Sequence, residues 1–431
     1  MKVGFGSRFA PQIVAAGFAG VMLSAAPCAH AGGYDTPMLY SARHMGMGGT
    51  AIGYVDDPSA IFHNPAGLGN IEHGEVLGDF SLLLGKIHAS PGDYNQAKNI
   101  DSDLTVAPFF LVGGAYRIQK YFVLGVGVYP IASAGATFHY PTIGGAGQVA
   151  DHTELLFLEA SPALSFNPLP NLRFGVGYRF TYVNLDRSTQ ASGQDPSLDF
   201  SVHGANFLGV RLGAQWAPLP WWQLGAVFRN KVTTKVTNSS GVAVSTHYTD
   251  ISTHFTLPAK LGAGTRADFD RFGFRGGIAV DFEYDFNSEN KGDPLVGTPA
   301  PGSTNALTSV PNIFAWKDSQ TIRVGFEYRL WHDEIAHVDH VPLRVGYVYD
   351  TQTANPQDPT AFGTPPGPTQ ILTLGSGYNA GVWQTNVAYA YRFGTGTVPK
   401  AGLDPNCAFC SYDGNYAIHL SGIYLDGSYK F

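Results

Sequence analysis

Charge is scarce in this chain. Lys, Arg, Asp and Glu make up 14% of its 431 residues, against roughly 25% in an average soluble protein. The small acidic excess, formally −7, comes with no Lys/Arg cluster, so nothing here has the electrostatic footprint of a nucleic-acid binder. Cysteine is nearly absent, at 3 in the whole chain, which excludes a scaffold built on disulfides. Beyond residue 31 no apolar run reaches about 18 residues, so a helical membrane span is not expected. No G-x-S-x-G, H-E-x-x-H or P-loop occurs, and Gly46-Met47-Gly48 is no dinucleotide fingerprint, because no strand precedes it and the spacing fails.

What is abundant is glycine (53), phenylalanine (28) and tyrosine (22). The mean hydropathy is nevertheless −0.04. A helical membrane protein would read far more apolar. A chain that is aromatic, glycine-rich, poorly charged and neutral on average suits a membrane β-barrel, where apolar and polar residues alternate and cancel.

Residues 1–31 read as a signal peptide. Lys2 and Arg8 open it, Ile13 to Ala26 is apolar, and Ala29-His30-Ala31 is a cleavage site of the A-x-A type. Cys28 follows Pro27, a poor lipobox, and falls in the discarded piece. A retained anchor would need about 20 apolar residues. The other two cysteines form Cys407-Ala408-Phe409-Cys410, read as a local loop disulfide in an exported protein. A redox motif would need a βαβ context, and structural zinc four ligands.

Period-2 alternation carries the barrel reading, since successive side chains of a strand point to opposite faces. Ile322, Val324, Phe326, Tyr328 and Leu330 share one face; Arg323, Gly325, Glu327 and Arg329 share the other. Residues 172–182 and 272–286 repeat this. Such segments predict fourteen strands near 75–89, 104–117, 121–135, 153–166, 172–188, 199–217, 221–235, 253–268, 272–287, 316–331, 342–350, 369–379, 383–394 and 416–431. Many are twice the length of a soluble strand. Tyr121-Phe122, Trp216, Trp221-Trp222, Trp316 and Trp331 stand near strand ends, where interfacial girdles belong. Six links are short and seven are long and polar, the pattern of periplasmic turns and external loops around an even-stranded, all-antiparallel barrel. The terminal Phe431 resembles the signal read by the barrel-assembly machinery, though it also suits a plain closing strand.

Residues 32–74 do not read as strand. Asp57 can cap a short helix with Pro58 at its first position; Ser59-Ala60-Ile61-Phe62-His63 would be that helix, and Asn64-Pro65 would end it. Compact, non-strand chain ahead of a barrel suggests a plug. Ser41-Ala42-Arg43-His44-Met45-Gly46-Met47-Gly48-Gly49-Thr50-Ala51, then Asp56-Asp57-Pro58-Ser59-Ala60, then Asn64-Pro65-Ala66-Gly67-Leu68 resembles the N-terminal hatch of the FadL family, outer-membrane transporters of long-chain fatty acids and aromatic hydrocarbons. The likeness is close over 39–69 and looser across the barrel. It implies a hatch (32–74) inside a fourteen-stranded barrel (75–431). It also implies a substrate path past Phe62, His63, Asn64, Pro65 and Ala66, and a kinked third strand that opens a side exit into the bilayer. Pro130 falls late in that predicted strand; proline cannot donate to a ladder, so it marks either that opening or an ordinary bulge near the rim. The family commonly has an aromatic residue before Asn-Pro-Ala. Here it is His63, which either makes the hatch pH-sensitive or is simply hydrogen-bonded.

Inward Arg173, Arg179, Arg211, Arg275, Arg323, Arg329, Arg344 and Arg392 face Asp281, Glu283, Asp285, Glu327 and Asp350. This reads as a salt-bridged ladder filling the lumen, with at most one or two arginines free to meet a carboxylate head group. His332, His337 and His340 sit among acids in a predicted turn, read as a solvated link over a metal site. The expected function is uptake of a hydrophobic small molecule by a monomer in outer-membrane lipid, with no cofactor, metal or catalytic residue. The alternatives are a barrel enzyme acting on lipids, for which no feature nominates a serine, and a purely structural or adhesive barrel.

Overall fold

The computed structural model describes residues 39–91, 100–141, 147–271, 274–303, 308–312, 314–333, 338–354, 367–398 and 414–431. The signal peptide, Cys407, Cys410 and His337 lie outside the described residues, as do the side chains of His332 and His340.

Fourteen antiparallel strands form a closed barrel. They are β1 (Gly74–Pro91), β2 (Thr105–Gln119), β3 (Phe122–Pro141), β4 (Gln148–Leu169), β5 (Leu172–Ala191), β6 (Leu198–Leu219), β7 (Trp222–Arg229, resumed as Val232–Asn238), β8 (Thr246–Leu257, resumed as Lys260–Arg271), β9 (Phe274–Asp285), β10 (Ser319–Asp333), β11 (Val338–Asp350), β12 (Thr369–Asn379), β13 (Trp383–Val398) and β14 (Gly414–Lys430). Each pairs with its neighbour in sequence, and β14 returns to β1 in unbroken register from Glu75↔Lys430 to Pro91↔Gly414. No helix among the described residues is long and apolar enough to cross a membrane; strands make the crossing.

The alternation has the expected sense. Leu124, Val126, Phe174, Val176, Leu372 and Leu374 are exposed on the outside, where lipid covers them. Several strands run well past the predicted ends, β3 to Pro141 and β4 from Gln148. Their outer ends are rich in Ser, Thr, His and Asp, so the apolar period fades there although the backbone ladder continues. As a result Pro130 sits near the middle of β3, not at its rim. Trp216, Trp221, Trp222 and Trp331 are exposed near the short turns. Trp316 is not a girdle residue: it is buried, precedes β10, and stacks on Phe314 at 5.4 Å.

Two seams are interrupted among the described residues. Between β2 and β3 the ladder ends at Val112↔Val128. Residues 105–111 continue on β1 alone, while β3 shifts register against β4 between Pro130 and Ala132, a bulge that adds Ile131. Contact resumes only at the isolated bridge Ser102↔Phe138. Between β6 and β7 the ladder stops at Arg211↔Arg229 and reappears at His203↔Thr237. There side chains fill in: Asn206 Nδ2 donates to the Thr233 carbonyl (2.8 Å), and Asn230 Nδ2 to that of Leu208 (3.1 Å).

Candidate functional site

Residues 39–73 lie against the inner face of the wall. Two short helices, α1 (Ala42–Met45) and α2 (Ala60–His63), and a 3-10 turn at Pro65–Asn70 give them shape. Asp57 Oδ1 accepts the Ser59 amide at 2.8 Å in the turn ahead of α2. The helix itself starts at Ala60 with Ser59 in the cap position and no side-chain cap bond, later than Asp57-Pro58 suggests, because the chain is still turning at Pro58 and Ser59. Gly48 and Gly49 turn the chain at φ 71° and 79°, a left-handed conformation that favours glycine. At this level the inward positions of the strands are also glycine. A methyl group on Gly346 would overlap the Gly48 amide, on Gly175 the backbone of Pro65-Ala66, and on Gly225 the Ile52 carbonyl. Backbone therefore rests directly on backbone.

Polar ties hold the segment. Asn64 Nδ2 donates to the carbonyls of Ile52 (2.9 Å), Ala214 (3.2 Å) and Ala226 (3.3 Å), while its Oδ1 accepts the Ala66 amide at 3.2 Å. Asp281, expected to meet arginine, instead accepts the amides of Ala51 and Ile52 at 2.7 and 2.9 Å. Asp426 accepts the Ser41 hydroxyl (2.8 Å) and the Arg43 amide (3.0 Å). Arg43 pairs with Asp56 at 2.6 Å. Burial opposes ionisation of Asp57, but the His44 ring, Arg43 and the Ser59 hydroxyl outweigh it and hold the carboxyl well below its usual range.

Near the β3 bulge the packing becomes aromatic. Tyr40 meets Phe62 edge-on at 5.0 Å, and Phe62 meets Tyr129 at 5.3 Å. The Tyr40 hydroxyl donates to the Pro130 carbonyl at 2.5 Å. His63 Nε2 donates to the Tyr40 carbonyl at 2.9 Å; burial, with the nearby His44 ring, pushes its pKa down to about 3. Arg211 donates to the Ile61 carbonyl (2.6 Å) and the Tyr129 hydroxyl (2.8 Å). Tyr129 in turn donates to Glu159 at 2.6 Å, and Glu159 is closed by Arg179 at 2.6 Å. A cavity of about 20 Å³ lies between Tyr40, Phe62, Phe109, Tyr424 and the bulge residues Pro130 and Ile131. That is room for little more than one water. Its outer wall is the interrupted seam between β2 and β3. Farther toward the long loops, Leu155, Phe157, Val183, Leu185, Val202 and Val236 turn inward and form an apolar cluster with Phe314 and Trp316.

A family model for "outer membrane protein transport protein (OMPP1/FadL/TodX)" matches residues 22–402. The chain belongs to that family. No curated protein matches it. Among solved structures it is similar to a Pseudomonas aeruginosa FadL homologue, at TM-score 0.72 and 16% identity over 93% of this chain and 100% of that one. It is also similar to the P. putida toluene transporter TodX (TM-score 0.67, 15% identity, 92% and 99% covered). A third is the Ralstonia pickettii toluene transporter TbuX (TM-score 0.60, 16% identity, 92% and 99% covered). At these identities the likeness is one of fold. As a member of this family the protein is an outer-membrane β-barrel.

Within this FadL-type barrel, Phe62 lines the cavity and His63 sits behind it, while Asn64, Pro65 and Ala66 pack on β5, β6 and β7 away from it. Much of the arginine ladder is present: Arg344 and Arg329 reach Glu327 at 2.7 and 3.2 Å, Arg323 pairs with Glu283, and Arg392 stands 4.0 Å from Asp350. Arg275 is not part of it; it pairs with Asp270 at 3.4 Å beside a short turn. Arg173 donates to the Pro170 carbonyl at 3.3 Å, also beside a turn. Sequence reasoning missed Tyr40, Tyr129, Glu159 and Tyr424. Tyr129 stands beside Pro130 and could have been found from it. Nothing in the sequence joins Tyr40 or Tyr424 to β3.

Proposed function

We propose that this barrel takes up hydrophobic small molecules, such as aromatic hydrocarbons or long-chain fatty acids, and releases them sideways into the bilayer. Residues 32–74 act as the hatch, and no residue is assigned a catalytic role. Cargo collects on the apolar cluster near the external loops, where burial contributes about 25 cal/mol per Å². It descends to the cavity between Tyr40, Phe62 and the bulge. A shift of the Leu39–Tyr40 end then admits it to the seam between β2 and β3. Leaving through that seam keeps an apolar solute out of periplasmic water, which the hydrophobic effect favours. One observation supports this above the others: the ladder stops where the cavity meets the wall. Cys407 and Cys410 are proposed as a loop disulfide, and Phe431 as the mark read during assembly.

The experiment is uptake of radiolabelled toluene and of a fatty acid by cells expressing the protein, against cells with empty vector. Faster uptake of either is expected. Equal rates with folded protein in the outer membrane would remove the proposal.

A further inference from the structure

Building on that transport reading, we propose that the passage at the bulge prefers an uncharged aromatic with one hydroxyl, a phenol, and turns carboxylates away. The cavity walls are apolar and aromatic where Leu39, Phe62, Leu83, Phe109 and Ile131 face it. Rings favour edge-on and offset contacts with a guest ring. One pole differs. Tyr424, on β14, lines the cavity, is 1% exposed, and its hydroxyl has no hydrogen-bond partner. A buried hydroxyl left unpaired is costly, so a guest that supplies an oxygen there gains what water otherwise provides.

The charge around that pole decides which oxygen. Ser81 stands directly across from Tyr424 and donates to Asp79 at 2.8 Å. Asp79 is itself paired in register with Asp426, so two carboxylates face each other below the cavity. The cations nearby are already held. Arg211 is bound to the Ile61 carbonyl, Tyr129 and Glu159. Arg392 donates to Thr369 at 3.1 Å and stands 4.0 Å from Asp350. An entering carboxylate would lose its water beside two acidic side chains, with the nearby arginines already engaged. A phenol hydroxyl carries no charge and can both accept from Tyr424 and donate to Ser81. Because the cavity holds only about 20 Å³, selection acts while the guest displaces Phe62 and Tyr40, as a sieve on passage.

Three probes of similar size isolate the polar group: toluene, para-cresol and benzoate. Initial uptake by expressing cells is measured at neutral pH, each corrected for the empty-vector rate. Cresol should exceed toluene, and benzoate should stay near the vector control. Tyr424→Phe should lower the cresol-to-toluene ratio roughly three- to tenfold, the worth of one neutral hydrogen bond. Asp79→Asn should raise the benzoate-to-toluene ratio. If toluene enters above control but benzoate matches cresol, or neither substitution moves its ratio, the phenol assignment is overturned and the transport reading stands. If none of the three probes, nor a labelled fatty acid, enters faster than control, both fall together.

Discussion

The two interrupted seams of this barrel have different endings. Both lose several ladder pairs in mid-wall. Between β6 and β7, Asn206 and Asn230 substitute their side-chain amides for the missing backbone bonds, and Asn230 Oδ1 also accepts the Val210 amide at 2.6 Å. Between β2 and β3 the bulge at Ile131 carries β3 away, and among the described residues no side-chain hydrogen bond joins residues 105–111 to 129–136, although Phe109 packs against the cluster that holds Ile131. The segment inside the barrel reaches that edge through the Tyr40 hydroxyl, which donates to the Pro130 carbonyl. An interruption is therefore not in itself a door. On the proposed route it becomes one where no side-chain hydrogen bond closes it and where a segment able to shift stands behind it. The closing seam from β14 to β1, where a barrel has its chain ends, is continuous.

The contrast can be broken outright. Deleting Ile131 together with Pro130→Val removes the extra residue and restores a ladder donor while keeping the register of β3 with β4. Uptake should fall to the vector control while the barrel still migrates as a folded species on an unheated gel; unchanged uptake would mean that cargo leaves elsewhere. Acid should separate the seams next. His63 holds the Tyr40 carbonyl, and its pKa is about 3 in the packed hatch against 6.5 when free. The released hatch therefore binds the proton more readily. Packing is at full strength above 6.5 and weakens as pH falls toward 3, by about 1.4 kcal/mol per pH unit in that window. Hydrogen exchange over residues 40–70 should accelerate in acid relative to β6–β7, whose asparagines do not titrate, and His63→Gln should flatten the response.

Smaller effects sharpen the comparison. Asn230→Ala should cost about 1–3 kcal/mol by orphaning the Val210 amide and Leu208 carbonyl, read as a lower thermal midpoint for conversion to the unfolded gel band. It should raise uptake little, because the segment behind that seam is tied to it by Asn64 at the Ala214 and Ala226 carbonyls. Tyr40→Phe removes one hydroxyl, about 0.5–1.5 kcal/mol, and should raise toluene uptake up to about tenfold; a fall in uptake would show that Tyr40 serves the cargo and not the latch.

Much of the barrel was legible because alternation is a local signal. Ile322 to Leu330 need no partner to declare a strand with two faces. The compact, non-strand character of the chain ahead of β1 was legible, and Asp57-Pro58-Ser59 as a turn with a mechanism. Less legible was anything set by where faces meet. Leu155, Phe157, Val183 and Leu185 point inward although apolar, since alternation separates the two faces but does not say which one meets lipid when both carry apolar side chains. Trp316 looked like a girdle residue because position along the chain does not distinguish the lumen from the interface. Pro130 was recognised as a break, but its place in the wall depended on residues 133–141, a mix of small, aromatic and polar side chains that carries no clear apolar period. Glu159, the partner of Arg179, lies on the neighbouring strand, and only the register brings them together.

The glycines beneath the hatch constrain how it can move. Where Gly48, Ile52 and Pro65-Ala66 touch wall backbone at Gly346, Gly225 and Gly175, no rotamer can turn aside to make room. The middle of the segment behaves as a wedge seated in a keyway, and motion that leaves it seated would have to come from the flank at Leu39 and Tyr40, which side-chain packing and two hydrogen bonds hold in place. On the proposed lateral route, the side of the pore would open while these seated contacts keep its floor shut, so that small molecules would pass without the cell losing its ion barrier.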